Sequence, residues 1–133
     1  MGKKKILIVD DEEHILAVLE KRLEASGYDV IKAVNGKEAL EAAKSAIPDL
    51  VVTDLVMPNM DGAELADAME SDPVTRGIPV IILTALIKKG KEEKQFISHR
   101  RSLAKPYDPQ ELIKVIAEML ELYDNRGPAS GIS

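Results

Sequence analysis

A three-layer α/β sandwich built on a five-stranded parallel sheet is the fold this sequence predicts, and three observations predict it. Short, wholly apolar runs alternate with longer amphipathic segments, the pattern of strands buried on both faces and covered by crossover helices. Capping signatures stand at the head of several amphipathic segments. No repeat or long linker interrupts the alternation over 133 residues, the length of one ordinary domain.

Ile6-Leu7-Ile8-Val9 is a continuous apolar run ending at Asp10, the mark of a doubly buried first strand. Ile15, Leu16, Leu19 and Leu23 then recur at helical spacing until Gly27 closes the helix. Tyr28 to Val34 is a more polar second strand, placed at an edge by Asp29 and Lys32. Asn35 and Glu38 form a capping pair for a helix to about Ser45, ended by Ile47-Pro48. Asp49 to Asp54 is the third strand. Asp61 and Glu64 cap a helix to about Ser71, and Ile78 to Thr84 is the fourth strand, with Pro79 tolerable near its start. Residues 88–98 carry four lysines, two glutamates and only Phe96 and Ile97 as large apolar groups, a weak stripe for a covering helix. A short fifth strand is expected at Ser102–Ala104. Asp108, Pro109 and Glu111 then open a final helix whose buried face is Leu112, Ile113, Ile116, Met119 and Leu120. The domain is expected to span residues 1–123, with 124–133 a flexible C-terminal tail.

Composition narrows the chemistry. Cysteine is absent, which excludes a disulfide scaffold, a thiolate nucleophile, an iron–sulfur cluster and a thiolate zinc site. Only His14 and His99 are present, too few for a histidine-rich metal centre. The net charge of −5 argues against a general nucleic-acid coat. No apolar run approaches the 18 or so residues of a spanning helix, and only four apolar residues precede Asp10, so no leader or membrane segment is expected and a cytoplasmic location is the simple expectation.

Open parallel sheets place their sites outside the carboxyl ends of the strands. Those ends are Asp10-Asp11, Asp54, Thr84 and Lys105, while the second strand ends in Asn35-Gly36, which reads as turn chemistry. Any one such aspartate is more often a helix cap than a ligand, and Asp11 alone reads that way. Their coincidence at successive strand ends is what counts. Three carboxylates together repel one another and raise each other's pKa unless a cation is present. An all-oxygen set selects Mg²⁺, with Mn²⁺ possible, over zinc, and Mg²⁺ is commonly completed by phosphate oxygens. Thr84 can donate to a phosphoryl oxygen, and Lys105 can pair with a carboxylate or a transferred phosphoryl group. The ensemble describes phosphoryl transfer without a base and without a nucleotide-binding loop.

With Val9-Asp10-Asp11, Asp54 followed by Met57-Pro58 and Asp61-Gly62, Thr84-Ala85 and Lys105-Pro106-Tyr107 in this order across residues 5–122, the chain resembles the receiver domains of bacterial two-component response regulators. The resemblance implies a sheet order of 2-1-3-4-5, the flavodoxin-like topology. It implies that Asp54 is the phosphorylated nucleophile, supplied by a sensor histidine kinase or a histidine phosphotransfer protein. Asp11 and Asp54 would ligate Mg²⁺ directly, Asp10 mostly through water, and Val56 through its backbone carbonyl. Thr84, Ala85 and Lys105 would contact the phosphoryl group, with the Lys105–Pro106 bond cis. Such a chain modifies itself and slowly hydrolyses the product, and is not an enzyme acting on a separate substrate. In relatives, the side chains two residues after the phosphorylated aspartate and two after the threonine flank the attacking water. Here these are Val56 and Leu86, both apolar, which implies a long-lived phosphoryl state.

The chain also departs from the family. Thr84 ordinarily switches with an aromatic residue three positions before the lysine, and here that position is Ser102, too small to fill the space. Residues 88–105 hold seven basic and two acidic side chains, so the stretch is +5 and the remainder −10. A solvated face, a homodimer or output-protein contact, and least of all nucleic acid are the readings open for it. His14 is expected to be an exposed helix residue near the surface kinases touch in relatives, and His99 to lie at the entry to the fifth strand.

Three other readings fit less well. A degenerate receiver acting as a phosphorylation-independent interaction module would keep the fold, but all five pocket residues are intact. A flavodoxin-like small-molecule binder needs a Gly/Ser/Thr phosphate loop where this chain has Asp10-Asp11-Glu12-Glu13, and 3% aromatic content gives a flavin little to stack on. A dehalogenase-like phosphatase needs a second carboxylate at position 56, which is Val. No output domain fits after residue 122, so a stand-alone receiver and a fragment of a larger protein both remain open.

Overall fold

The computed structural model describes residues 2–85 and 99–124. The elements in chain order are β1 (Lys5–Val9), α1 (Glu13–Ala25), β2 (Asp29–Ala33), α2 (Gly36–Ala46), β3 (Leu50–Asp54), α3 (Gly62–Ser71), β4 (Val80–Thr84), β5 (Arg100–Ala104) and α4 (Pro109–Asp124). All four strand pairings are parallel, in the order β2-β1-β3-β4-β5. The expected fold and strand order are therefore the observed ones. The order reverses at β1, so β1 and β3 open side by side toward the carboxyl edge.

Strand alternation divides the core in two. Ile6, Ile8, Leu50, Val52, Ile81, Leu83 and Leu103 face α1 and α4, meeting Leu16, Leu19, Leu23, Leu112, Ile116 and Met119. Leu7, Val9, Val51, Val80 and Ile82 face α2 and α3, where Ala39, Ala43 and Ala66 allow close approach and Leu65 and Met69 supply bulk. On α4, Val115 is buried with Leu112, Ile116 and Met119, while Ile113 and Leu120 lie partly buried at the flanks.

The caps follow the sequence at α2 and α3. Asn35 accepts the Glu38 N–H at 2.7 Å, and Asp61 and Glu64 form a reciprocal capping box. At α1 the N-cap is Glu12, which makes no side-chain cap, so Asp11 does not cap this helix. Gly27 turns the chain at φ 98°.

The fifth strand begins two residues earlier than expected, at Arg100. Both arginines enter it because each finds a carboxylate on a neighbouring helix. Arg100 Nη2 bonds Asp67 and lies 3.7 Å from Glu70, and Arg101 Nη1 bonds Glu118 at 3.1 Å. Both side chains are mostly covered, at 27% and 14% exposure, with a terminal guanidinium nitrogen of each on a carboxylate. The weak helix expected over 88–98 lies outside the described residues, as does the expected tail apart from Asp124, the last residue of α4. No helix among the described residues is long and apolar enough to cross a membrane.

Candidate functional site

Three strands deliver the site. β1 ends beneath Asp10 and Asp11, β3 ends in Asp54, and one carboxylate oxygen from each of the three lies within 4.8 Å of the others. Their surroundings differ. Asp10 is 4% exposed, Asp54 is largely enclosed, and Asp11 reaches solvent. Asp10 Oδ1 accepts the Glu12 N–H at 2.9 Å and its own N–H donates to Ala33 O, which fixes the turn from β1 into α1.

β5 delivers the cation. Lys105 Nζ lies 2.6 Å from Asp54 Oδ1, a charge-assisted hydrogen bond across 51 residues of chain. The Lys105–Pro106 peptide is cis, as expected. Lys105 N–H donates to Thr84 O at 2.9 Å, tying the ends of β4 and β5 together, and Thr84 itself is buried. Ala85 and Val56 are exposed at the rim, Val56 to 68%.

Burial pushes the Asp10 carboxyl above the ordinary carboxylate range. The Glu12 N–H opposes that shift, the Asp54 charge adds to it, Lys105 opposes it and Asp11 adds to it. Burial also raises the Tyr107 phenol, with the Asp10 and Asp54 charges adding to it. Tyr107 therefore stays a neutral hydroxyl beside the acidic corner. An open cleft of ≈390 Å³ lined by Asp10, Ile15, Leu83, Ala85, Lys105, Pro106 and Tyr107 leads to this corner.

The sequence-predicted site residues thus converge at one sheet edge, with the exceptions of Ser102 and Leu86. Ser102 sits two residues down β5 in register with Ile82, half-buried and away from the acidic corner. Leu86 lies outside the described residues. His14 is exposed on α1, and His99, at φ 64°, precedes β5 with its ring centroid 4.7 Å from that of Tyr123. Sequence reasoning missed Thr53, whose buried hydroxyl donates to the Asp54 carbonyl at 2.9 Å. Its signal was a polar residue within an otherwise apolar strand. Gly36 was read as turn chemistry. It is the first residue of α2, where the Asn35 cap places it, and a Cβ there would meet Met60 at 2.8 Å.

An all-oxygen set of this spacing could hold a hard cation, and a bound cation would oppose the burial and like charges that raise the Asp10 carboxyl.

A family model for the response regulator receiver domain matches residues 6–117. The alkaline phosphatase synthesis transcriptional regulatory protein PhoP of Bacillus subtilis is 36% identical over 131 residues, covering 96% of this chain and 52% of its own. The polar-differentiation response regulator DivK of Brucella anthropi is 40% identical over 91 residues, covering 68% of this chain and 74% of its own. Among solved structures, chemotaxis response regulator CheY4 of Vibrio cholerae superposes with a TM-score of 0.77 at 29% identity, covering 89% of this chain and 99% of that one. This chain spans about half the length of PhoP and of the probable transcriptional regulator ycf27 of Porphyridium aerugineum, at 52% and 56%.

Proposed function

Because the chain belongs to the response regulator receiver domain family, we propose that it is a phosphoacceptor switch in which Asp54 takes a phosphoryl group from a phosphohistidine donor. The donor is a sensor histidine kinase or a histidine phosphotransfer protein. One observation carries the reading: Lys105 Nζ sits 2.6 Å from Asp54 Oδ1 at the edge where Asp10 and Asp11 also converge.

An Asp54 carboxylate oxygen attacks phosphorus in line. The new O–P bond forms as the donor's P–N bond breaks, and the imidazole nitrogen keeps the electron pair. Lys105 already pairs with the nucleophile and is placed to transfer its charge to the incoming phosphoryl oxygens. Thr84 and the Ala85 backbone complete the phosphoryl contacts. Asp10, Asp11, Asp54 and the Val56 carbonyl would hold Mg²⁺, which when bound screens the repulsion between carboxylate and phosphoryl oxygens.

The output is a changed surface rather than a released product, and slow self-hydrolysis resets it. An output contact through 88–105 belongs to the same proposal, with one adjustment. Arg100, Arg101 and Lys105 each pair with a carboxylate of the same chain, which offsets part of the positive charge of that stretch. A cytoplasmic location, where such donors act, is part of the reading.

Intact-mass measurement after incubation with acetyl phosphate and Mg²⁺ tests it. One hydroxylamine-sensitive phosphoryl adduct is expected on the parent and none on Asp54→Asn. Equal labelling of the two proteins, or none on the parent, refutes the proposal.

A further inference from the structure

Beneath the phosphoacceptor lies a small backbone seat whose residues take no part in the chemistry above. Asp54 is the last residue of β3, and its carbonyl oxygen has two close neighbours. On one side Thr53 Oγ1 donates to it at 2.9 Å. Thr53 is 0% exposed, and a hydroxyl carried into the core is costly unless it finds a partner. The partner it finds is the carbonyl of the phosphoacceptor itself.

On the other side stands Gly62, the first residue of α3. A Cβ built there would lie 2.4 Å from the Asp54 carbonyl oxygen, and 3.1 Å from both Leu55 Cα and Thr53 Cγ2. The first two obstacles are backbone and cannot rotate away. Among the described glycines only Gly27 has a positive φ, so Gly62 is not required by its own torsion angles; it is required by what it touches. Its N–H also donates to Leu55 O at 2.8 Å, while the Leu55 N–H donates to Leu83 O on β4 at 2.9 Å. The peptide units on both sides of Leu55 are therefore pinned, and the Asp54 side chain springs from the residue just before it.

We propose that Thr53 and Gly62 are positioning residues for the Asp54 carboxylate, holding its backbone so that the carboxylate keeps its placement against Lys105, Asp10 and Asp11. The proposal rests on the reading of Asp54 as a Mg²⁺-dependent phosphoacceptor. Its size follows from the contact. Bringing a Cβ at Gly62 from 2.4 Å to an ordinary contact displaces the Asp54 carbonyl by about 1 Å, and a displacement of about that size near a reacting group can cost on the order of 100-fold in rate.

The test compares Gly62→Ala, Thr53→Val and Thr53→Ser with the parent by three measurements: thermal unfolding, the half-saturating Mg²⁺ concentration followed by backbone amide shifts, and the labelling rate with acetyl phosphate. At a temperature where all are folded, Gly62→Ala is expected to raise the half-saturating Mg²⁺ concentration about tenfold and to slow labelling roughly 10–100-fold. Thr53→Val shifts Mg²⁺ half-saturation in the same direction, and Thr53→Ser, which keeps the hydroxyl, returns it to the parent value. A folded Gly62→Ala that binds Mg²⁺ and labels like the parent overturns the proposal. If Gly62→Ala does not fold, Thr53→Val decides, and unchanged Mg²⁺ half-saturation overturns it. A parent that binds Mg²⁺ without becoming labelled refutes the phosphoacceptor reading and leaves the Mg²⁺ comparison to judge the seat. A parent that binds no Mg²⁺ overturns both.

Discussion

The two ends of β5 manage charge in opposite ways. At its start Arg100 and Arg101 reach carboxylates on α3 and α4, and each cation has its anion. At its far end Lys105 meets Asp54, with Asp10 and Asp11 beside it, so among the described residues three carboxylates share one ammonium. The first arrangement fastens an edge strand to its covering helices. The second leaves an excess of negative charge in a partly enclosed corner, with the Asp10 carboxyl raised above its ordinary range. Imbalance of that kind marks the end of the strand where the sheet acts on something from outside.

Removing the Lys105 ammonium should break the second arrangement most severely. Lys105→Ala is expected to slow acetyl-phosphate labelling of Asp54 by on the order of 100-fold, the typical cost of losing one preorganised charge partner of a reacting group. The initial rate of the intact-mass shift measures it, and labelling at the parent rate would remove Lys105 from the mechanism.

Val56 gives a smaller and slower effect. Its side chain is 68% exposed at the rim of the acidic corner and cannot hydrogen-bond an attacking water. Val56→Asn should therefore shorten the phosphoryl lifetime several-fold, read as first-order decay in Mg²⁺ after the donor is removed. Decay no faster than the parent's would mean that Val56 does not limit water access.

The start of the strand should respond least. Arg100→Ala removes pairs to partly exposed carboxylates, each worth about 0–1 kcal/mol, and its cost should shrink further in high salt. Arg101→Ala should cost more, because its side chain is only 14% exposed and carries packing as well as charge. Urea unfolding at low and high salt ranks the two, and neither variant should alter Asp54 labelling at saturating Mg²⁺.

The same contrast explains what could be seen in the sequence. The acidic corner was legible because its residues stand at the ends of largely apolar runs, and because Asn35, Asp61 and Asp108 mark where α2, α3 and α4 begin. The start of β5 was not legible. Arg100 and Arg101 look like loop residues until they are paired with Asp67, 33 positions earlier, and Glu118, 17 positions later. The seat under Asp54 was hidden for another reason. Thr53 stands out as a polar residue in an apolar strand and Gly62 as part of the Asp61-Gly62 motif, but both act on a backbone carbonyl, so neither residue's sequence position says what it touches. The departure at Ser102 was visible, and the structure sets that residue opposite Ile82 of β4, two residues before the end of β5.

The central claim is that the acidic corner carries an electrostatic cost that a divalent cation relieves, and Asp10→Asn tests it most directly. Asn keeps an oxygen for the Glu12 N–H but never ionises. In the parent, the folded-state pKa of Asp10 lies above the ordinary 3.8. The folded state therefore holds a proton that the unfolded chain has already lost, and stability falls as pH rises through that window, with the full cost present above it. Thermal unfolding in EDTA at pH 7 is predicted to show Asp10→Asn melting above the parent, with the advantage disappearing as pH falls toward 3.8. Adding Mg²⁺ is predicted to raise the parent's melting temperature well beyond any shift in the variant. An Asp10→Asn protein that melts below the parent in EDTA at pH 7, or that gains as much from Mg²⁺ as the parent does, would contradict the account.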